Sequence, residues 1–278
     1  MCIYRQTFCR QSALCKIILI KFNIFFRFFI AIAVLFSQVS LAYAGHLEDI
    51  AARGELLVGT TGDYRPMSYY NAENGEYEGI DAELAEILAK SLNVKLVYVP
   101  TTWPNLARDV QENKFDVALC GVSRIYERER TMALSKGYCV TGKTVLCRRD
   151  KAADYQSLED INKPEVRIML NPGGTNEKFV RSRLQNATVI MHEENAEIPG
   201  LIAAGLADVM ITDTFEAVRY VHMNPALAAP LADRPFTVIN KAALMQQGDQ
   251  PWLNYVNFVL EELEADGTLP QLREKYLR

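Results

Sequence analysis

The stretch EIPGLIAAGLADVMITDTFEAVRYV, residues 197–221, changes its hydrophobic period twice, and that change decides the fold. EIPGLIAAGL reads as a helix, ADVMITD as a buried apolar strand, and TFEAVRYV as a second helix. A helix beginning at Thr212 or Asp213 puts the carboxylates of Asp213 and Glu216 on one side of its first turn. One acid at that place is ordinary, because helix N-termini favour negative charge. The second is open to three readings: a spectator, a ligand-binding group or a catalyst.

The same alternation extends outward in both directions. ELLVGT (55–60) reads as a strand, and GIDAELAEILAKSL (79–92) places Ile80, Leu84, Ile87 and Leu88 on one helix face. KLVYVP, FDVALCG, KTVLCR, VRIMLNPGG and ATVIMH supply further strands, and WPNLARDVQEN and TNEKFVRSRL further helices. FTVINKAALM looks extended, and the chain closes on two amphipathic helices. Alternation of this kind predicts an α/β protein with parallel-rich sheets and helices on both faces. Two successive sets of units predict two lobes: 45–140 plus 238–278 for the first, 141–237 for the second. Crossovers are expected near 138–144 and 233–240, with the terminal helices returning to the first lobe. Ligands of open α/β sheets bind beyond the carboxyl ends of strands, which directs attention to the loops that follow them.

Residues 1–44 read as a leader. They hold five basic residues and no acid, an apolar core FFIAIAVLF, and a small-residue LAYA cleavage pattern with the cut after Ala44. The chain has 30 Lys+Arg against 34 Asp+Glu, so removing five bases leaves 25 against 34, a balance of −9. That acidity excludes a nucleic-acid partner, which requires a basic face. Removal of the leader also leaves a protein without a membrane anchor. Cys120, Cys139 and Cys147 remain, with no metal-ligand spacing; buried free thiols are expected, with one disulfide as the alternative that an oxidising compartment permits.

Four loops hold residues whose chemistry exceeds what a turn requires. TTGDYRPMSYY (60–70) offers Asp63 and Tyr64, the latter with an apolar ring and a polar tip. TTWPNL (101–106) offers Trp103 as a wall for a flat ligand or as packing. CGVSRIYERER (120–130) sets Ser123 near three arginines, a group suited to holding a carboxylate. NPGGTNEKF (171–179) is a glycine turn entering a helix with Thr175 or Asn176 at its cap, and it lacks the G-K-[ST] element of a nucleotide loop. Glu177 in that first turn is what the helix dipole favours on its own. The scattered histidines and the absence of Gly-x-Ser-x-Gly give no support to a hydrolase or a metalloenzyme.

Taken together, GELLVGTTGDYRPMSY, YEGIDAELAEILAKSL, FDVALCGVSRIYERER and LADVMITDTFEAV resemble the family 3 periplasmic solute-binding proteins over essentially the whole mature chain. The resemblance implies a two-lobed periplasmic binding protein type II fold with an interlobe cleft, and a periplasmic location. It also implies that Ser123 and Arg128 hold a ligand carboxylate and that Asp213 takes an amino group. TTGDYRP, VPTTWPNL, NPGGTNEKF and TDTFEA are more specifically similar to an enzymatic branch that dehydrates and decarboxylates prephenate and arogenate without a cofactor. That likeness implies Glu216 as general acid, with Thr175, Asn176 and Lys143 as polar contacts and Trp103, Tyr64 and Asp63 at the ring. One departure stands in the carboxylate loop, where Ile125 replaces the threonine frequent in the wider family. The alternative is a non-catalytic amino-acid-binding subunit of an importer.

Overall fold

The computed structural model describes residues 45–277; the segment read as a leader lies outside the described residues. The first of two five-stranded sheets has the order Lys95–Pro100, Glu55–Thr60, Val117–Ala118, Leu244–Met245, Ala133–Leu134. The second has the order Thr188–Met191, Arg167–Leu170, Val209–Asp213, Lys143–Arg148, Leu227–Ala228. In each sheet the first three strands are parallel and the fourth runs antiparallel to both its neighbours. The sheets are therefore mixed, where strand–helix alternation alone implied a mostly parallel arrangement. The physical reason lies in the connections. Lys143–Arg148 and Leu244–Met245 are the strands the chain enters directly after Cys139–Thr141 and Ile239–Lys241, with no helical crossover to restore direction. Those two entering segments pair antiparallel with each other, Lys241 opposite Cys139.

Burial follows the periods read from the sequence. Ile80, Leu84 and Leu88 of helix Ile80–Ser91 pack in one cluster with Leu56 and Val58, and Trp252, Val256, Leu260, Leu269 and Leu272 of the last two helices join it. In the second lobe, Val209 and Ile211 enter the cluster of Ile168, Leu170 and Leu231, while Met210 enters that of Ile198, Ile202 and Tyr220 on the opposite face. Successive residues of a strand point to opposite faces, so an uninterrupted apolar run is what a sheet covered on both sides requires. Each large side chain so buried contributes about 1.5–3 kcal/mol. Cys120, Cys139 and Cys147 are free and buried, and burial pushes each thiol up to about 12. Among the described residues no helix is long and apolar enough to cross a membrane.

Candidate active site

The loops after strands of both sheets converge on one cavity of about 320 Å³. Tyr64, Trp103, Ser123, Arg128, Thr175, Asn176, Asp213 and Glu216, all singled out from the sequence, line it. Asn195 and Lys241, which sequence reasoning passed over, line it too. Asp63 and Lys143 stand one layer back and hold others in position.

Asp213 ends strand Val209–Asp213 and takes the N-cap position of helix Thr214–Met223, which starts one residue later than the latest start expected. Its side chain caps nothing, because both oxygens are engaged elsewhere. Oδ1 accepts from Lys143 Nζ at 2.9 Å; Oδ2 accepts from Lys241 Nζ at 2.7 Å and from the Tyr64 hydroxyl. Burial pushes the Asp213 carboxyl up, but the two ammonium groups outweigh it and hold the carboxyl well below the usual range. Lys143 spends its remaining donors on Thr175 Oγ1, at 3.0 Å, and on Asn176 Oδ1. All three of its protons are thus used inside the protein. Thr175 and Asn176 are drawn towards that ammonium, and Gly174 rather than either of them takes the helix cap.

Glu216 faces the same cavity from the first turn of helix Thr214–Met223 and is fully buried. Thr212 Oγ donates to one of its oxygens, and Asn195 Nδ2 donates to the other at 3.0 Å. Burial, reinforced by the charge on Asp213, pushes its carboxyl up to about 8. At neutral pH it is therefore mainly the protonated acid, beside an ionised neighbour only three residues away. Two acids with their affinities for protons driven apart in this way can play different parts. Asn195 also donates to the Asp63 carbonyl at 3.1 Å, and the Asp63 carboxylate accepts from Trp103 Nε1 at 3.0 and 3.1 Å. The acid is in this way tied to the wall formed by Trp103, whose ring meets Tyr64 edge-on at 6.0 Å. Glu177, the other acid near the site, accepts from the Gly173 amide at 2.7 Å and from Arg181 at 2.7 Å; the Gly173 bond is the main cause that holds its carboxyl below the usual range.

Ser123 comes from the segment after strand Val117–Ala118, and Arg128 from the one-turn helix Tyr126–Glu129 that follows it. Ser123 forms an isolated bridge with Lys241, which brings Lys241 Nζ within 3.0 Å of Ser123 Oγ. The serine oxygen accepts that bond, leaving its own proton to donate. Arg128 donates one N–H to the Ser123 carbonyl at 2.9 Å and has no ion-pair partner among the described residues. Lys241 is almost entirely buried, and two of its three protons go to Ser123 and Asp213. The signal that could have found it is that it is the only charged residue in 235–248, inside an apolar extended run. Asn195 sits among other polar residues in EENAEIPG and left no such mark.

The two lobes meet tightly around the cavity. A Cβ placed on Gly173, at φ +83, would lie 2.5 Å from the backbone nitrogen of Pro104 across the cleft. Gly173→Ala is therefore expected to hold the lobes apart. A modest fall in melting temperature from the strained φ, together with a drop of about 10²-fold in kcat/KM, would match the sensitivity of oriented groups to shifts near 1 Å. A variant with full activity would show that this approach is not needed.

Relatives of known type agree with this architecture. Residues 56–278 match the bacterial extracellular solute-binding proteins, family 3. A cyclohexadienyl dehydratase of Pseudomonas aeruginosa is 41% identical over 246 residues, 88% of this chain and 91% of that protein. An L-cystine-binding protein of Escherichia coli K12 is 27% identical over 249 residues, 89% of this chain and 91% of that protein. Among solved structures, an ancestral amino acid-binding protein described as a precursor of cyclohexadienyl dehydratase superposes with a TM-score of 0.79 at 36% identity, covering 84% of this chain and all (100%) of that one. An ancestral cyclohexadienyl dehydratase is 50% identical with a TM-score of 0.53, covering 84% and 97% of the two chains. The chain belongs to the family 3 bacterial extracellular solute-binding proteins.

Proposed function

We propose that this chain is a cyclohexadienyl dehydratase, a lyase that converts prephenate to phenylpyruvate and arogenate to phenylalanine. The observation that carries the reading is a buried carboxylic acid, Glu216, kept protonated at neutral pH on the wall of a small cavity. Receptor function alone has no use for such a group. In the reaction the bond from the ring to its carboxylate breaks and CO₂ leaves. The released electron pair enters the ring and expels the ring hydroxyl, which departs as water with the Glu216 proton. Solvent then reprotonates Glu216. Aromatisation supplies driving force, and no step calls for a metal or an organic cofactor. Arg128 and Ser123 hold the side-chain carboxylate, Trp103 and Tyr64 flank the ring, and the paired lysines keep Asp213 ionised so that it raises the affinity of Glu216 for its proton. The leader, together with the family, supports export, and we assign the mature protein to the periplasm.

Incubating the purified mature protein with prephenate and following phenylpyruvate is the direct test. No turnover, combined with thermal stabilisation by an ordinary amino acid, would return the chain to the receptors. The pH dependence is a second check. The acid form of Glu216 dominates below about 8, so kcat should be sustained from neutrality downward and should fall as pH rises through that value. A rate that rose through the same interval would mean that Glu216 acts as a base.

A further inference from the structure

We propose that Lys241 is a specificity-determining residue that makes this site select the α-keto substrate, prephenate, over its α-amino counterpart, arogenate. The inference rests on the dehydratase reading and asks which of its two substrates the cavity fits. An ammonium group needs an acceptor, preferably an anionic one, and the acceptor a binding protein would offer is Asp213. Here Asp213 is already neutralised by two cations and has three of its roughly four acceptor sites filled: Lys143 occupies Oδ1, and Lys241 and Tyr64 occupy Oδ2. Lys143 is itself fully committed to Asp213, Thr175 and Asn176, and it does not line the cavity. Lys241 differs, because it lines the cavity with two protons committed and one to spare. A ligand ammonium entering this corner meets a second ammonium where a receptor would present a carboxylate. A keto oxygen or a carboxylate oxygen in the same corner accepts the spare Lys241 proton.

The charge balance points the same way. Arg128, Lys143 and Lys241 stand against Asp213, paired directly with the two lysines, and Asp81, whose charge acts on Lys241 from behind, so the corner holds one more positive charge than negative ones. Prephenate carries two carboxylates and no cation, whereas arogenate carries two carboxylates and one ammonium. Like charges brought together in a site with little water oppose binding strongly, and unlike charges steer it. The buried acceptor without a partner in the cavity wall, Asn195 Oδ1, does not change this balance, because it is neutral and lies beside Glu216, where the ring hydroxyl has to be.

The test is the ratio of kcat/KM for prephenate to that for arogenate, measured on the parent protein and on Lys241→Met and Lys241→Arg. The parent should favour prephenate by at least about tenfold, as expected from juxtaposing like charges. Lys241→Met should lose most of its prephenate kcat/KM, change little with arogenate and so collapse the ratio, while Lys241→Arg, which keeps the cation, should preserve the preference. Equal use of the two substrates by the parent would overturn the proposal. So would a Lys241→Met variant that loses both activities in proportion, the mark of a merely structural lysine. If Lys241→Met fails to fold, the parent ratio and Lys241→Arg still decide. A parent that turns over neither substrate would instead remove the dehydratase reading itself.

Discussion

Glu216→Gln protein is expected to fold, to bind substrate with nearly the parent affinity, and to lose about 10²–10⁴-fold in kcat, the range a positioned general acid supplies. The amide has the shape of the carboxyl and can still pair with Asn195 and Thr212, so the wall of the cavity is preserved. What it lacks is a proton to hand to the departing hydroxyl. A drop in kcat with KM unmoved separates a transition-state contribution from loss of binding. Stability offers an independent readout of the same group. Its folded-state carboxyl is raised from 4.5 to about 8, so the native protein holds a proton that the unfolded chain releases between those values. The stability of the parent should therefore decline as pH rises through that window and level off above it; Glu216→Gln should lack the part of the decline between about 6 and 8, since Asp81, raised to about 6, contributes only below that. Substantial residual turnover would transfer the role elsewhere. Glu177 is a poor recipient, since its bonds to Gly173 and Arg181 keep it ionised.

Most of the framework was legible in the sequence because it is written in local periods. The run Val209-Met210-Ile211 and the face Ile80, Leu84, Leu88 state how many sides of an element are covered, and burial in the structure follows them. Strand direction was not legible for Lys143–Arg148 or Leu244–Met245, since direction is set by how a chain crosses between lobes and leaves no local period. At the site, the positions that follow apolar strands pointed to Ser123, Arg128, Trp103 and Asp213, because hydroxyl, charged or bulky side chains there exceed what a turn requires. Lys241 and Asn195 act on groups 21 or more residues away and Thr212 acts from inside a strand, so the folded chain rather than a local period gives them partners. The reading of Asp213 changed most. From sequence it was a free acid awaiting an amino group, whereas its geometry is that of a neutralised anchor for two lysines and a tyrosine.

That change throws the burden of ligand recognition onto Arg128, and its removal should be the second large effect. Its guanidinium lines the cavity with one N–H on the Ser123 carbonyl and no carboxylate of the protein within 4.0 Å among the described residues. A half-buried cation left without a counter-ion is stable only because water or a ligand anion completes it, and a planar guanidinium is shaped to take a carboxylate through two parallel bonds. Arg128→Met removes the charge while keeping much of the volume. Truncating one member of such a hydrogen-bonded charge pair costs about 2–5 kcal/mol, roughly 30- to several-thousand-fold in kcat/KM. Because the side-chain carboxylate is untouched by the chemistry, its contact is equally strong before and during the reaction, so the loss should fall on KM while kcat holds. Arg128→Lys should recover part of it, as a point charge without the fork. The pair of variants then forms a contrast: Glu216→Gln lowers kcat at constant KM, and Arg128→Met raises KM at constant kcat. A variant at position 128 that left KM unchanged would mean that the substrate carboxylate rests on Lys241 and Ser123 instead, and that the unpaired guanidinium serves the entry of the anion rather than its binding.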